Sequence, residues 1–334
     1  MNERIYRLTF EPFFRVYIWG GRRLESLFGR RLPPGIVAES WDISGHASTP
    51  TRVRQGYWQS RTLPEVLDAL GLDLVGYNSR EMLARGRFPL LIKLLDANRD
   101  LSVQVHPDDA YAREHEQGEL GKTEMWYVLH AEPGTELIYG LARGVTKASF
   151  RAALQEGSLH TQLYRLPIAP GDAIFVPAGT VHALLAGAVV AEIQQNSDTT
   201  YRVYDWGRLG ADGRPRPLHI DKALEVIDWT RIEPPKQSPM LLSNTGGIRH
   251  TQLVACPQFN VECLHMSAKA TLAGICAGST FEIWGCVAGQ GLLEWPRGTL
   301  PLVAVSFVLL PATLGNYRVY AQEASTWLRV YIAG

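Results

Sequence analysis

The chain has 334 residues, enough for about two domains, and its 46% hydrophobic content is that of an ordinary globular protein. Its 33 basic residues balance 33 acidic ones, so the positive excess of nucleic-acid-binding proteins is absent and no nucleic-acid partner is expected. The longest apolar stretch, 300–314, is too short to span a membrane, and residues 1–10 lack the apolar core of a secretory signal. We therefore expect a cytoplasmic protein without a membrane partner.

Twenty prolines and 31 glycines divide the chain into short apolar, β-branched and aromatic runs, which are typical of strands. Many short strands with few helices predict a mainly β protein, a sandwich or barrel with small helical insertions. In chain order, the predicted elements are a helix at 63–70, strands at 89–96 and 101–106, a helix at 108–116, a strand at 125–129, a helix at 147–155, strands at 173–176 and 189–195, and a helix at 221–227.

A proline-rich stretch near residue 235 predicts a linker between two β units. Pro234 and Pro235 follow the last predicted helix, and Pro239 comes shortly after them. The predicted units are 1–235 and 236–334. All four cysteines lie in the second unit without Cys-x-x-Cys spacing, so we expect reduced, buried thiols.

The strand predicted at 101–106 carries polar side chains on one face. Ser102, Gln104 and His106 alternate with apolar residues and therefore point the same way. Taken alone, this pattern also fits the exposed face of an edge strand. The alternative is the wall of a wet cavity.

Two further segments supply residues of the same chemical type. Lys122 and Glu124 share one strand face, and His182 follows a tight turn between two apolar runs. Taken alone, Lys122 and Glu124 also fit a surface ion pair. Together with Gln104 and His106, these segments offer two imidazoles, one carboxylate and one amide oxygen, which can surround a divalent metal and leave positions open.

The segment around His182 resembles the second sequence motif of the cupin family. Gly171, Pro177, Gly179 and His182 have the motif's spacing, and Ala186 stands where the motif ends in Asn. The resemblance implies a jelly-roll β-barrel.

The first cupin motif is altered in a way that is similar to one family. Gln104-x-His106, with Glu124 displaced by an insertion, resembles the type I mannose-6-phosphate isomerases (phosphomannose isomerases), in their short bacterial form. Five segments carry this resemblance in order along the first unit: 18–21, 39–44, 101–107, 121–127 and 195–202.

The resemblance implies a reaction and a cofactor. The reaction is the interconversion of mannose 6-phosphate and fructose 6-phosphate through a cis-enediol(ate), with a small sugar phosphate as the only partner and a monomer or homodimer as the assembly. One Zn²⁺ per chain is implied, with four ligands: Gln104, His106, Glu124 and His182.

The resemblance also implies roles for residues around the metal. Arg202 is expected to be catalytic and could stabilise the enediolate or bind the phosphate. Lys122 shares the strand face of Glu124, so it is expected to reach the site as an acid or base, or to bind the phosphate. The base that transfers the proton stays open. The residues expected to contact substrate are Ser102, Lys93, Glu192 and Asp198.

One segment of the second unit is similar in sequence to a segment of the first. Residues 307–312 resemble 175–178, but Asn316 and Tyr317 stand where a metal-binding histidine would follow. We therefore expect a degenerate, cupin-like β-barrel without metal. Three other functions stay as alternatives: an iron dioxygenase of the cupin type, an isomerase of another sugar phosphate, and a non-enzymatic sugar-phosphate sensor.

Overall fold

The computed structural model describes residues 3–210 and 213–334. The α-helices are α1 (Arg23–Ser26), α2 (Leu63–Leu70), α3 (Leu72–Val75), α4 (Arg80–Ala84), α5 (Asp109–His115), α6 (Lys147–Glu156) and α7 (Ile220–Val226), with 3₁₀ turns at Tyr77–Ser79 and Leu159–Gln162. The strands up to residue 204 are β1 (Phe10–Glu11), β2 (Phe13–Arg15), β3 (Glu39–Ser44), β4 (Arg52–Val53), β5 (Leu90–Ala97), β6 (Val103–Val105), β7 (Glu124–Ala131), β8 (Glu136–Leu141), β9 (Leu163–Pro167), β10 (Ala173–Val176), β11 (His182–Leu184), β12 (Ala188–Gln195) and β13 (Tyr201–Tyr204). The remaining strands are β14 (Met240–Thr245), β15 (Ile248–Ala255), β16 (Asn260–Met266), β17 (Thr271–Cys276), β18 (Glu282–Ala288), β19 (Gln290–Trp295), β20 (Gly298–Val303), β21 (Ser306–Leu310), β22 (Gly315–Ala321) and β23 (Ser325–Tyr331).

Every element predicted from the sequence is present, and its ends lie within two residues of the predicted ones. Local chemistry explains this agreement. Helix α2 begins after Thr62, whose side chain accepts from the backbone of Glu65 while Glu65 bonds back to the backbone of Thr62. Helix α6 ends at Gly157, which adopts the left-handed conformation (φ 72°) that favours glycine. Among the described residues, none of the helices has the length and apolarity needed to span a bilayer.

The first part of the chain contains two large antiparallel sheets that face each other, beside a two-stranded sheet of β1 and β4. The six-stranded sheet has the order β10-β7-β12-β5-β3-β2, and the five-stranded sheet has the order β13-β6-β11-β8-β9. Apolar side chains from both sheets, such as Trp126 and Val190 from one and Leu137 and Leu184 from the other, pack together at one end of the space between them. The expected mainly β fold is confirmed, and this packing leaves the other end of the enclosed space to polar groups.

The second part of the chain forms another pair of sheets, with the orders β14-β15-β16-β23-β18-β21 and β17-β22-β19-β20. The two six-stranded sheets have the same topology. When the strands of each sheet are ranked by their position along the chain, the ranks read from β21 in the second sheet match those read from β10 in the first. Cys263, Cys276 and Cys286 are buried here, and all four cysteines of the chain are free thiols. The division at residue 235 and the degenerate barrel both stay predictions.

An apolar layer joins the two six-stranded sheets. Ile92 of β5 and Ile193 of β12 lie in one cluster with Phe259, Leu328 and Val330 of the second part. Successive side chains of a strand point to opposite faces. One face of β5 and β12 therefore packs in this apolar layer, and their opposite face lines the polar end of the first sheet pair.

Truncation after residue 235 is expected to destabilise the first unit strongly, because it exposes this layer to water. Burial of apolar surface contributes about 25 cal/mol per Å², so the truncated chain should unfold at a markedly lower temperature. Thermal unfolding followed by circular dichroism measures the effect. An unchanged melting temperature would show that the second unit is only tethered to the first.

Candidate metal centre

Three buried ligands converge where β6, β7 and β11 meet the polar end of the first sheet pair. Glu124 Oε2 lies 3.5 Å from His106 Nε2, and Glu124 Oε1 lies 3.3 Å from His182 Nε2. The ligand atoms all lie within 4.8 Å of one another. Gln104 stands opposite His182 in the β6–β11 register, and its amide nitrogen is 3.3 Å from His182 Nε2. The four ligands expected from the sequence are therefore together.

Backbone carbonyls orient both imidazoles. His106 Nδ1 lies 2.9 Å from the carbonyl of Thr199, and His182 Nδ1 lies 2.8 Å from the carbonyl of Thr180. A carbonyl can only accept, so each Nδ1 carries the proton and each Nε2 is left with a lone pair. Both Nε2 atoms face Glu124, which is the arrangement that metal-binding histidines adopt.

The site leaves buried polar atoms without partners. His106 Nε2 and Glu124 Oε1 make no hydrogen bond within the described part of the chain, although unpaired buried groups are costly. Burial raises the pKa of Glu124 to about 7, lowers that of His182 to about 4 and lowers that of His106 well below its usual value. A divalent cation would satisfy these atoms at once, so the donor set fits a metal.

Two buried lysines balance the carboxylates beside the triad. Lys122 Nζ lies 3.1 Å from Glu124 Oε2, and Lys93 Nζ lies 3.4 Å from Glu192 Oε1. Trp126 Nε1 donates to Glu192 Oε2 at 2.9 Å. Burial lowers the pKa of Lys122, but the carboxylates of Glu124 and Glu192 outweigh it and raise that pKa above its usual value. Lys122 is therefore a charged group directly beside the metal ligands.

A tryptophan links the interior to the mouth of the site. The Trp41 ring lies 4.4 Å from Lys93 Nζ and 4.3 Å from Arg15 Cζ, both within cation–π range. Arg15 Nη2 is 3.5 Å from Asp198 Oδ2, and the Asp198 side chain is 42% exposed. The structure thus places Asp198 at the rim, whereas Lys93 and Glu192 lie inside.

Arg202 and Ser102 line the wall next to Gln104. Arg202 is opposite Gln104 in the β13–β6 register, and Arg202 Nε donates to Ser102 Oγ at 3.3 Å. Burial lowers the pKa of Arg202, and the positive charge of Arg216 adds to this effect. The guanidinium therefore lies in the same interior as the metal ligands. It contacts Ser102, which is two residues before Gln104 on the same strand face.

Sequence reasoning missed three residues of this interior. Trp126 and Gln194 lie two residues beyond Glu124 and Glu192 on the same strand faces, so strand alternation could have identified them. Gln194 is fully buried opposite Glu124 in the register, and its side-chain oxygen has no partner among the described residues. Trp41 precedes a register shift in β3, so its orientation depended on the fold.

The fold and the site define a mainly β protein with a buried triad that could hold a metal ion. The family model for the type I phosphomannose isomerase catalytic domain matches residues 7–130. The probable mannose-6-phosphate isomerase GmuF of Bacillus subtilis is 38% identical over 312 residues, 93% of this chain and 95% of that protein. The mannose-6-phosphate isomerase of Streptococcus mutans is 39% identical over 301 residues, 90% of this chain and 91% of that protein. The crystal structure of mannose 6-phosphate isomerase from Bacillus subtilis has a TM-score of 0.87 at 35% identity and covers 98% of this chain and 99% of that chain.

The chain therefore belongs to the type I mannose-6-phosphate isomerase (phosphomannose isomerase) family. The resemblance drawn from the motifs is confirmed, as is the expected enzyme class, an aldose–ketose isomerase.

Proposed function

We propose that this chain is a zinc-dependent enzyme that interconverts mannose 6-phosphate and fructose 6-phosphate through a cis-enediol(ate). The observation that carries the proposal is the buried group of His106, Glu124 and His182 with Lys122 ion-paired to it at 3.1 Å. We further propose that it acts in the cytoplasm as a monomer or homodimer.

The four ligands offer nitrogen and oxygen donors that suit zinc. We propose that Gln104, His106, Glu124 and His182 hold one Zn²⁺ per chain. One carboxylate and three neutral ligands leave the loaded site with a single positive charge, which suits an anionic substrate. When bound, zinc would supply Lewis acidity toward the oxygens at C1 and C2 of the sugar.

Aldose–ketose isomerisation moves a proton between C1 and C2 and creates negative charge on oxygen. Lys122 is charged and buried, so it can donate a hydrogen bond or a proton to that oxygen. The fixed charge of Arg202 can stabilise the same oxygen without a change in protonation. Glu192 and Asp198 are the carboxylates that can take the carbon-bound proton, whereas the charged Lys122 has no lone pair for it.

A coupled assay tests the reaction and the cofactor together. Turnover of mannose 6-phosphate to fructose 6-phosphate should be present in the purified protein, lost on chelation and restored by zinc. Full activity after chelation would contradict the metal assignment. A folded protein that is inactive in all three states would be a sensor or an isomerase of another sugar phosphate, and substrate-binding and substrate-range assays would separate these two.

The Arg202→Ala variant should keep its zinc and lose about 10²–10³-fold in kcat, the cost of removing one group that stabilises charge in the transition state. Zinc content by mass spectrometry and steady-state kinetics measure the two effects. A fall in zinc content would instead make Arg202 a residue that supports the metal ligands.

A further inference from the structure

An arginine cluster follows β13 and is organised by one carboxylate. Asp205 Oδ1 accepts from Arg208 Nη2 at 2.5 Å and from Arg216 Nη2 at 2.6 Å, and its Oδ2 accepts from Arg216 Nε at 2.7 Å. Arg208 also donates to the backbone carbonyl of Asp100. Burial raises the pKa of Asp205, but the two guanidinium groups outweigh it and lower that pKa. Arg208 and Asp205 together hold Arg216 in one orientation.

The same cluster borders Arg202. Arg202 Nη1 donates to the carbonyl of Pro217 at 3.0 Å, and His219 N donates to the carbonyl of Arg202 at 2.8 Å. Residues 216–219 therefore run alongside Arg202. Within the described residues, no carboxylate forms an ion pair with Arg202, and Asp205 is the carboxylate that pairs with both Arg208 and Arg216. This part of the site wall carries an excess of positive charge.

Two donors of the cluster are unused and open to solvent. Arg202 Nη2 and Arg216 Nη1 make no hydrogen bond within the described ranges, and neither is among the buried atoms that lack partners. Adjacent guanidinium groups with free N–H bonds are suited to a phosphate, whose oxygens accept several charge-assisted hydrogen bonds. The hydroxyl of Ser102, which accepts from Arg202 Nε, can donate to the same anion.

The position of the cluster matches the length of the substrate. Ser102 and Gln104 are two residues apart on one strand face, a separation of about 7 Å at the usual rise per residue. A six-carbon sugar phosphate places a comparable distance between its reacting carbons, C1 and C2, and the phosphate on C6. An anion bound beside Ser102 would therefore leave the other end of the sugar at the metal ligands.

We propose that Arg216, bordered by Arg202 and Ser102, anchors the phosphate of the substrate, and that Asp205 is a positioning residue that orients Arg216. This inference rests on the proposed function, because it assigns the phosphate end of the same substrate. It assigns Arg216 to phosphate binding alone, whereas Arg202, which borders both Ser102 and Gln104, can contact the phosphate and the reacting oxygens.

The Arg216→Gln variant should raise the KM for mannose 6-phosphate about 10- to 100-fold, the range expected when one hydrogen bond to a charged group is lost. The value of kcat should change little, because an anchor that binds substrate and transition state equally affects KM alone. Competitive inhibition by inorganic phosphate should weaken by a similar factor, while kcat/KM for unphosphorylated mannose should stay as in the wild type. Arg216→Lys should recover only part of the binding, since lysine cannot form the planar, two-point contact. Arg143→Gln is the matched control, because Arg143 is 85% exposed and Glu233 is its ion-pair partner among the described residues.

The Asp205→Asn variant tests the positioning role. It should raise the KM for mannose 6-phosphate less than Arg216→Gln does, and Asp205→Glu should restore part of the loss. A merely structural effect of Asp205 would instead lower kcat/KM for phosphorylated and unphosphorylated mannose by the same factor, which would overturn the positioning role.

The phosphate anchor and the reaction can fail separately. If the zinc-loaded wild type isomerises mannose 6-phosphate and Arg216→Gln keeps the KM and the phosphate inhibition of the wild type, the anchor is wrong and the reaction stands. If the wild type does not isomerise the substrate, calorimetric titration of the wild type and of Arg216→Gln with inorganic phosphate tests the anchor. Tighter binding by the wild type would support the anchor, and equal or undetectable binding would overturn it.

Discussion

The His182→Ala variant is expected to lose its zinc and to lose more than about 10²-fold in kcat, the least that removal of one group stabilising transition-state charge costs. His182 is fully buried, and its Nδ1 is held by the carbonyl of Thr180, so no other imidazole can take its place. Only His106, Glu124 and Gln104 would remain as ligands. The variant should fold, because alanine at this strand position removes a ring without leaving a buried charge that was previously paired with it.

The control for this variant is His265→Ala. His265 lies on β16 of the second part, where its ring contacts Cys263 and Thr326 and no carboxylate. Its replacement should change neither zinc content nor turnover. Metal content by mass spectrometry and the coupled isomerase assay give the two measurements, and circular dichroism verifies folding. Full turnover by metal-stripped His182→Ala would refute the metal centre.

The Arg329→Met variant is expected to lower the free energy of unfolding by about 3–5 kcal/mol, as does removal of one partner from a buried ion pair. Arg329 on β23 bridges two buried glutamates. Its Nη2 lies 2.6 Å from Glu282 Oε1, and its Nη1 lies 3.2 Å from Glu262 Oε2. Trp284 and Tyr317 also donate to Glu282 Oε2, at 2.9 and 2.5 Å. Without the guanidinium, the Glu282 carboxylate stays buried without a positive partner, while Glu262 keeps the imidazole of His250 at 2.9 Å.

Chemical denaturation measures this loss, with Arg143→Met as the control. Arg143 is in an exposed ion pair, so its replacement should cost only about 0–1 kcal/mol. Adding Glu282→Gln to Arg329→Met should recover part of the stability, because the unpaired buried charge of Glu282 is then removed. A loss as small as that of the control would show that the cluster is solvated.

The register explains why an arginine stands at this position. In the first part, Glu192 is opposite Trp126, and Lys93 is opposite Glu192. In the second part, the residue opposite Trp284 is Arg329, so a positive charge stands where the first part has the negative charge of Glu192. The guanidinium of Arg329 contacts Glu282, two residues before Trp284, just as Lys122 contacts Glu124, two residues before Trp126. The internal cation lets Glu282 remain buried and fully hydrogen-bonded.

Much of the metal centre could be predicted because it depends on short-range patterns. Gln104 and His106 are two residues apart on one strand, and the turn before His182 is encoded by a proline and a glycine. Strand alternation then decides which side chains share a face, since the period of two is a property of the extended backbone itself. The same rule placed Lys122 beside Glu124.

Contacts between distant segments could not be read in this way. The cation–π contacts of Trp41 with Lys93 and Arg15 join three strands whose order in the sheet is not set by local pattern. Arg216 was not predicted, because its role depends on residues 216–219 returning alongside β13. In the sequence, Arg208 and Arg216 are typical of a solvated loop, and only the contacts of Asp205 with Arg216 and of the Pro217 carbonyl with Arg202 place Arg216 beside Arg202.

Backbone periodicity, turn chemistry and motif spacing are local, so the amino-acid sequence was enough to predict the mainly β class, the positions of the elements, the family and the three residues His106, Glu124 and His182 that could hold a metal. Only the tertiary structure decided that Lys93 and Glu192 pair inside the site while Asp198 lies at its rim. It also decided that an arginine occupies the charged centre of the second part and that Arg216 stands beside Arg202. These outcomes depend on which strands become neighbours and on where buried charges find partners, and both are settled only when the sheets pack together.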